Sequence, residues 1–323
     1  MLPFLRSIFF KFEARSENVE MFYEFENHDR FGFPEGIVRV TSGHGGEAIL
    51  IFGTEKTILV DCGMAYCGEE TVANIENALS AHGRMVLDGM VMSHSHYDHI
   101  GALPYIKKRW PNMVVYGAAK AKAVFERPGA KELMYKLGTN ARNMYSDSKE
   151  EILTDGLVVD EAVGEGDKIS IGNQYLYVLE TKGHTDCSLT YVLQPEGIMF
   201  ASESTGVFEN KDYVHSSILK SYKESLESTR KCRDFKPNKL ICPHYGLVPD
   251  WFIDEYFELY LKCSEEKALF LKTLSEQGLS EEEIHQEFMN RYWKDEYNEE
   301  HPKVAFEINA HHMEKVILKE VNG

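Results

Sequence analysis

This 323-residue chain predicts a layered α/β fold, a four-layer αβ/βα sandwich that ends in a helical extension. Three observations carry that reading. Short apolar, strand-like runs alternate with helical segments in two halves, and each half opens on β-rich sequence. Four times a strand-like run is followed closely by a histidine or a carboxylate: Met92 to His94, Leu179 to His184, Phe200 to Glu203 and Ile241 to His244. From about Asp250 the β signal stops and only helical periodicity remains.

In order along the chain, residues 1–35 mix aromatics and charges with poor periodicity and read as a capping or partner-contacting segment. Apolar runs predict strands at 37–40, 48–52 and 57–60, separated by the turns Gly43-His44-Gly45-Gly46 and Gly53-Thr54-Glu55-Lys56. Val72, Ile75 and Leu79 fall at helical spacing within 69–82. Leu87 to Met92 reads as a buried strand, Gly101 to Ile106 as the start of a helix, and 113–116 as a short strand. Residues 118–153 are mostly helical. Their apolar positions Phe125, Leu133, Met134, Leu137 and Met144 predict core packing, with a pocket lining as the alternative, since methionine adapts to varied ligands. Strand patterns return over 157–180, at 188–193 and at 198–201, and helix returns near 219–233. The amphipathic run 251–274, a capping box at Ser280-Glu281-Glu282-Glu283 and a helical stretch over 305–319 complete the chain. The predicted organisation is an α/β unit over 1–250 and a helical extension over 251–323.

Composition narrows the partners. With 35 basic and 52 acidic residues the net charge is −17, which argues against nucleic acid or an anionic membrane surface. The 43% hydrophobic content supplies a substantial core, yet no run of about 18 apolar residues predicts a membrane span. Arg6 and Lys11 interrupt the apolar start, which lacks a secretory h-region. The six cysteines, Cys62, Cys67, Cys187, Cys232, Cys242 and Cys263, form no C-x-x-C pair, so reduced thiols and a cytoplasmic location are expected. Cys187 and Cys242 lie near motif histidines in sequence and are read as small buried hydrophobes.

The chemistry concentrates in Ser93-His94-Ser95-His96-Tyr97-Asp98-His99, which packs three imidazoles and a carboxylate together behind an apolar strand. Neutral imidazole and carboxylate are the ligands zinc and iron accept. In an extended segment His94 and His96 point the same way, while Asp98 and His99 can face a second position. One short segment can therefore serve two ions. A chance cluster of solvated polar residues is the bland alternative, and the strand and helix that flank the segment argue against it. The adjacent His311 and His312 read as surface residues, because neighbours on a helix face apart.

The pattern His94-x-His96-x-Asp98-His99, followed by Gly183-His184-Thr185, Glu203 and Pro243-His244-Tyr245-Gly246, resembles the metallo-β-lactamase-fold hydrolases. So does the earlier Asp61-Cys62-Gly63 turn, and the resemblance spans about residues 36 to 250. It implies that His94, His96 and His184 hold one divalent ion and that Asp98, His99 and His244 hold a second. Residue 203 would bridge both ions together with a hydroxide. Asp98 and Glu203 are the catalytic carboxylates it implies, and Asp61 would orient a ligand histidine through its other ring nitrogen. Two such cations lower the pKa of a bridging water and polarise a substrate carbonyl or phosphoryl oxygen. The family usually places Asp at the bridging position. Glu203 is one methylene longer and can bridge both ions, bind one, or bind neither. A carboxylate-rich site leans toward Fe or Mn beside Zn.

No Arg or Lys cluster for a phosphodiester stands near the motifs, and the family's oxygen-reducing di-iron branch has Glu where this chain has His96. Ester, thioester, lactone and lactam hydrolysis remain. Within the family, His96-Tyr97-Asp98-His99 with Gly101 and Leu103-Pro104-Tyr105, Gly183-His184-Thr185-Asp186, and Gly206-Val207-Phe208 resemble the quinolone-signal response type of thioesterase. That resemblance implies cleavage of a small-molecule acyl thioester, iron as a fitting metal, and a helical tail acting as a lid; a homodimer is common in the fold. The alternatives are a metal-stabilised regulatory or binding protein on a hydrolase scaffold, and a lactone or β-lactam hydrolase.

Overall fold

The structure, a computed structural model, describes residues 32–149, 151–210, 212–244, 246–294 and 303–322. The predicted N-terminal capping segment therefore lies almost wholly outside the described residues, as does His301.

The first half of the chain builds strands β1 (Ile37–Arg39), β2 (Ile49–Phe52) and β3 (Thr57–Val60), helix α1 (Gly68–Ala81) and strand β4 (Gly89–Val91). Then come α2 (Tyr97–Ile100), α3 (Leu103–Arg109), β5 (Val114–Gly117), α4 (Ala119–Phe125), α5 (Pro128–Tyr145) and β6 (Glu161–Ala162). These strands form one sheet in chain order, antiparallel from β1 to β3 and parallel from β3 to β6. The second half supplies β7 (Lys168–Ser170), β8 (Tyr175–Glu180), β9 (Leu189–Gln194), β10 (Ile198–Phe200), the hairpin β11 (Val207–Asn210) and β12 (Tyr213–His215), α6 (Tyr222–Phe235), β13 (Lys239–Cys242) and β14 (Gly246–Val248). Its sheet runs β14-β13-β10-β9-β8-β7, with β10 and β13 parallel. The helices α7 (Ile253–Glu276), α8 (Glu281–Tyr292) and α9 (Lys303–Val321) follow.

Period-two alternation divides the side chains of each strand between two cores. In β2 and β3, Ile49, Ile51, Ile58 and Val60 point between the sheets, where they meet Val178, Tyr191, Phe200 and Ile241 of the second sheet. Leu50 and Leu59 point the other way, onto Ile75, Leu79, Leu103 and Ile106 of α1 and α3. In the second sheet Val192, Met199 and Leu240 face outward onto Leu226 of α6 and Tyr256, Phe257 and Tyr260 of α7. The result is helix, sheet, sheet, helix, the predicted four layers. Burial of both faces is why these strands read as continuous apolar runs rather than as alternating ones.

Two predicted features change. Helix α5 is not a core helix: only Gly138 and Ala141 are buried along it, and Leu133, Tyr135 and Met144 are exposed. The β11–β12 hairpin and β14 escaped the sequence reading. Each is short and gains its order from pairing, β14 with β13 and the hairpin with itself.

The tail continues into the body of the molecule. The first half of α7 buries Tyr256 and Tyr260 beside Val207, Phe208 and Val214. Its second half joins α8 and α9 around Leu271, Phe288, Phe306, Met313 and Ile317, a cluster that also takes in Ile218. No helix among the described residues is long and apolar enough to cross a membrane.

Lys267 of α7 is fully buried. Its Nζ donates to Ser216 Oγ at 2.8 Å and lies over the rings of Tyr213 and Tyr292. Burial pulls the ammonium down to about 7 from its ordinary 10.5, only partly offset by Cys263 and Glu209. A base whose folded pKa is depressed costs stability most when it must be charged, below pH about 7. That cost fades as pH rises toward its ordinary value. Lys267→Met is therefore expected to stabilise the chain against urea near neutral pH, with an advantage that shrinks steadily up to pH about 10. An advantage independent of pH would contradict this account.

Candidate metal centre

Four strand ends converge on one edge of the sandwich. The loop after β4 carries His94 and His96, and α2 carries Asp98 and His99. His184 follows β8, Glu203 opens a single 3₁₀ turn after β10, and His244 lies in the turn between β13 and β14. Backbone bonds stitch the sheets together at this edge. Leu189 N–H donates to Ser93 O at 2.7 Å, and the buried Tyr191 hydroxyl donates to Met92 O at 2.8 Å. From the other side, the Gly43–Gly46 turn closes on the site. Gly46 N–H donates to Asp98 O and Glu47 N–H to Pro243 O, at 2.9 and 2.8 Å. A Cβ on Gly46 would stand 2.5 Å from His99 Nδ1, so the turn reaches the imidazole only because residue 46 has no side chain.

All seven residues singled out in the sequence come together, in two groups that share Glu203. His94, His96, His184 and Glu203 form one; Asp98, His99, His244 and Glu203 form the other, and within each group the donor atoms lie within 4.8 Å of one another. His184 Nε2 faces His96 Nδ1 at 2.9 Å. Glu203 Oε2 lies 2.5 Å from His184 Nε2 and 3.9 Å from His94 Nε2. Its other oxygen, Oε1, lies 2.7 Å from His244 Nε2 and 3.8 Å from His99 Nε2. The longer Glu side chain thus turns one oxygen to each group. Asp98 Oδ2 lies 3.4 and 3.7 Å from the Nε2 atoms of His99 and His244.

The donor set fits divalent ions. The Nε2 atoms of His94 and His99 are buried and have no hydrogen-bond partner among the described residues, a costly arrangement for nitrogens that serve nothing. Both aim at a carboxylate-lined space. Ligands at about 2.0–2.1 Å from a tetrahedral ion stand roughly 3.3 Å apart, within the spread of spacings here.

A surrounding layer fixes the rings. Asp61 Oδ2 accepts from His99 Nδ1 at 3.0 Å, as expected for its position in sequence. Asp61 also accepts from Ser93 N–H at 2.7 Å and from Ser93 Oγ at 2.5 Å, and Ser93 Oγ lies 2.9 Å from His94 Nδ1. The Ser217 carbonyl accepts from His184 Nδ1 at 2.7 Å. Ser93 and Ser217 were not anticipated. Ser93 had a signal, its place directly before His94, whereas a backbone carbonyl leaves none. Cys187 and Cys242 are buried and belong to neither group.

The charges are unevenly set. Burial, then the neighbouring imidazoles, hold His94 well below the ordinary histidine range and bring His96 down to about 4. Burial opposes protonation of His99 too, but Asp98, Asp61 and Glu203 outweigh it and push its pKa up; Glu203 does the same for His244. Burial would raise the Glu203 pKa, yet His184 and the other facing imidazoles hold it well below the carboxylate range. His94 and His96 therefore offer neutral imidazoles, while His99 and His244 hold protons that a cation would displace.

Comparison with known proteins agrees with this geometry. The metallo-beta-lactamase superfamily model matches residues 41–244, more than half of the chain. A metallo-beta-lactamase fold-containing protein of Sulfurisphaera tokodaii, ST1585, is 23% identical over 62% of this chain and 78% of its own length. A hydroxyacylglutathione hydrolase of Bradyrhizobium is 27% identical over 39% of this chain, but the match spans only 36% of that protein. Several other curated relatives are likewise matched over about a third to a half of their length. A beta-lactamase domain protein from Burkholderia ambifaria superposes with a TM-score of 0.62 over 90% of this chain and 88% of that one, at 14% identity, a likeness of fold. With the family model spanning every one of the seven converging residues, the chain belongs to the metallo-β-lactamase superfamily.

Proposed function

We propose that this protein is a dinuclear metal-dependent hydrolase that cleaves a small acyl thioester or ester, with His94, His96 and His184 holding one ion and Asp98, His99 and His244 the other. The observation that carries the reading is Glu203, whose two oxygens face different histidine groups. A carboxylate placed so can span two ions. When bound, divalent cations supply a water of lowered pKa and a Lewis acid for the carbonyl oxygen.

The residues of the chain do the rest. Neutral His94 and His96 offer ring lone pairs without first shedding a proton. Asp61 and the Ser217 carbonyl fix the rings of His99 and His184, so that each presents Nε2 to the site. Asp98 is more exposed than Glu203, with its side chain 19% accessible against 9%. The Asp98 oxygen not given to the ion would take the proton of the attacking water and return it to a leaving alkoxide; a thiolate departs without it. Water adds its oxygen to the acyl carbon, the C–S or C–O bond breaks, and acid and thiol or alcohol leave.

A cleft of about 390 Å³ lies beside the Gly43–Gly46 turn, lined by Tyr66, Tyr105 and Tyr145 with His44, Arg142, Glu69 and Glu70; none of the seven converging residues lines it. We read the residues after 250 as an extension that shapes the site from the His184 side, where Ser216 meets Lys267 of α7 and Ser217 meets His184.

Four outcomes are expected. Purified protein should carry about two Fe, Zn or Mn per chain and hydrolyse members of a panel of acyl thioesters and esters. His184→Ala should lose metal and nearly all turnover, and full activity in that variant would sink the assignment. Glu203→Asp should lower turnover, because the shorter arm no longer reaches both groups; a strong rise would mark the present site as attenuated and favour a binding or regulatory role. Asp61→Asn should weaken metal retention against a chelator by roughly 10–100-fold while leaving the circular dichroism spectrum unchanged.

A further inference from the structure

A second cluster of metal-type donors lies in the helical tail, on residues that take no part in the centre above. His285 of α8 and His311 and Glu314 of α9 bring their donor atoms within 4.8 Å of one another. His285 Nδ1 lies 2.9 and 3.1 Å from the two oxygens of Glu314. His311 Nδ1 lies 3.8 Å from Glu314 Oε2, and the two imidazoles stand edge to face with centroids 5.2 Å apart. Glu307, one turn before His311, lies 3.8 Å from His285 Nε2. Glu307, His311 and Glu314 share one face of α9 at i, i+4 and i+7. The sequence reading of His311 and His312 as surface residues holds for His312, which is exposed, but His311 turns inward toward His285.

We propose that His285, His311 and Glu314 form a zinc-type divalent-metal site that clamps α8 to α9. The donor set, two imidazoles and a carboxylate, is one zinc accepts with water in the fourth place. The spacings of 3.1 to 3.8 Å between Glu314 Oε2 and the two Nδ1 atoms bracket the roughly 3.3 Å between neighbouring ligands of a tetrahedral ion. If His285 gives Nδ1 to the ion, its Nε2–H is left facing outward, with the Glu307 carboxylate 3.8 Å away, beyond direct hydrogen-bond distance.

Burial argues for a purpose beyond the pair itself. Glu314 is 3% exposed and His285 9%, among the apolar residues that join α8 and α9. A buried carboxylate and imidazole are a poor way to hold two helices together when apolar side chains would serve as well. A cation repays that cost by neutralising the carboxylate. The site is also open on one side: the His311 and Glu307 side chains are 45% and 53% exposed, which leaves an entry path and room for a water ligand.

The test uses the full-length protein, stripped by chelator and refilled with Zn²⁺ or Co²⁺. Wild type is expected to retain one more metal per chain than either His311→Ala or Glu314→Gln, by elemental analysis after gel filtration. The tail equivalent should lose affinity by about tenfold or more in each variant. His184→Ala, disabled at the main centre, should keep that equivalent and its zinc-induced rise in melting temperature. His311 is half-exposed, so His311→Ala carries the test even if Glu314→Gln folds poorly. Equal stoichiometry in wild type and His311→Ala, with the same zinc-induced shift in melting temperature, would falsify the proposal. A tail equivalent that persists while the main centre takes up no metal would sustain it and sink the dinuclear reading instead.

Discussion

The Asp61 carboxylate is the contact on which the arrangement of the site depends. It stands at the end of β3 with a backbone φ of 50°, in the left-handed region that few residues other than glycine enter readily. Its backbone N–H is committed to Val91 O, and the next residue, Cys62, donates to His99 O. The side chain then gathers Ser93 N–H, Ser93 Oγ and His99 Nδ1. Through Ser93 it reaches His94 of one candidate ligand group, and directly it reaches His99 of the other. A single buried carboxylate therefore sets the relative placement of two groups whose ligands come from different strands. Apolar packing brings the strand ends near one another; the Asp61 hydrogen bonds set the angles.

Glu203 plays the complementary part in the second sheet. β10 and β13 run parallel, with Phe200 beside Ile241, so both strands deliver their following residues to the same edge. Glu203 and His244 arrive there together. The 3₁₀ turn at Glu203–Thr205 places the extra methylene of Glu, relative to Asp, in a position where each oxygen meets a different histidine group. A residue one methylene longer than the family's usual Asp thus meets a histidine of each group.

How much of this was legible beforehand follows from physical range. The His94–His99 segment, His184 and His244 could be read because each sits within a few residues of an apolar strand, and strand ends of one sheet gather at one edge. The central strands were legible because burial on both faces leaves β-branched apolar runs such as Thr57–Val60. Glu203 was named as a bridging carboxylate, but whether it faces both histidine groups was not legible, since that depends on how far one turn stands from histidines on other elements. Ser217 acts through a carbonyl that every residue possesses. Helix α5 misled because methionine and leucine favour helices whether or not anything packs on them. The His285 ring beside His311 was not legible, because adjacency in sequence says nothing of a partner on another helix.

One short segment carries a larger consequence. Ser216 receives Lys267 of the tail, and Ser217, the next residue, holds the His184 ring. Two consecutive residues thus join the helical tail to a metal-facing imidazole, like a coupling rod between two wheels. Sequence drift in α7 is then not silent for the chemistry across the molecule. Substitutions more than eighty residues beyond His184 in the chain can retune that ring without altering any ligand.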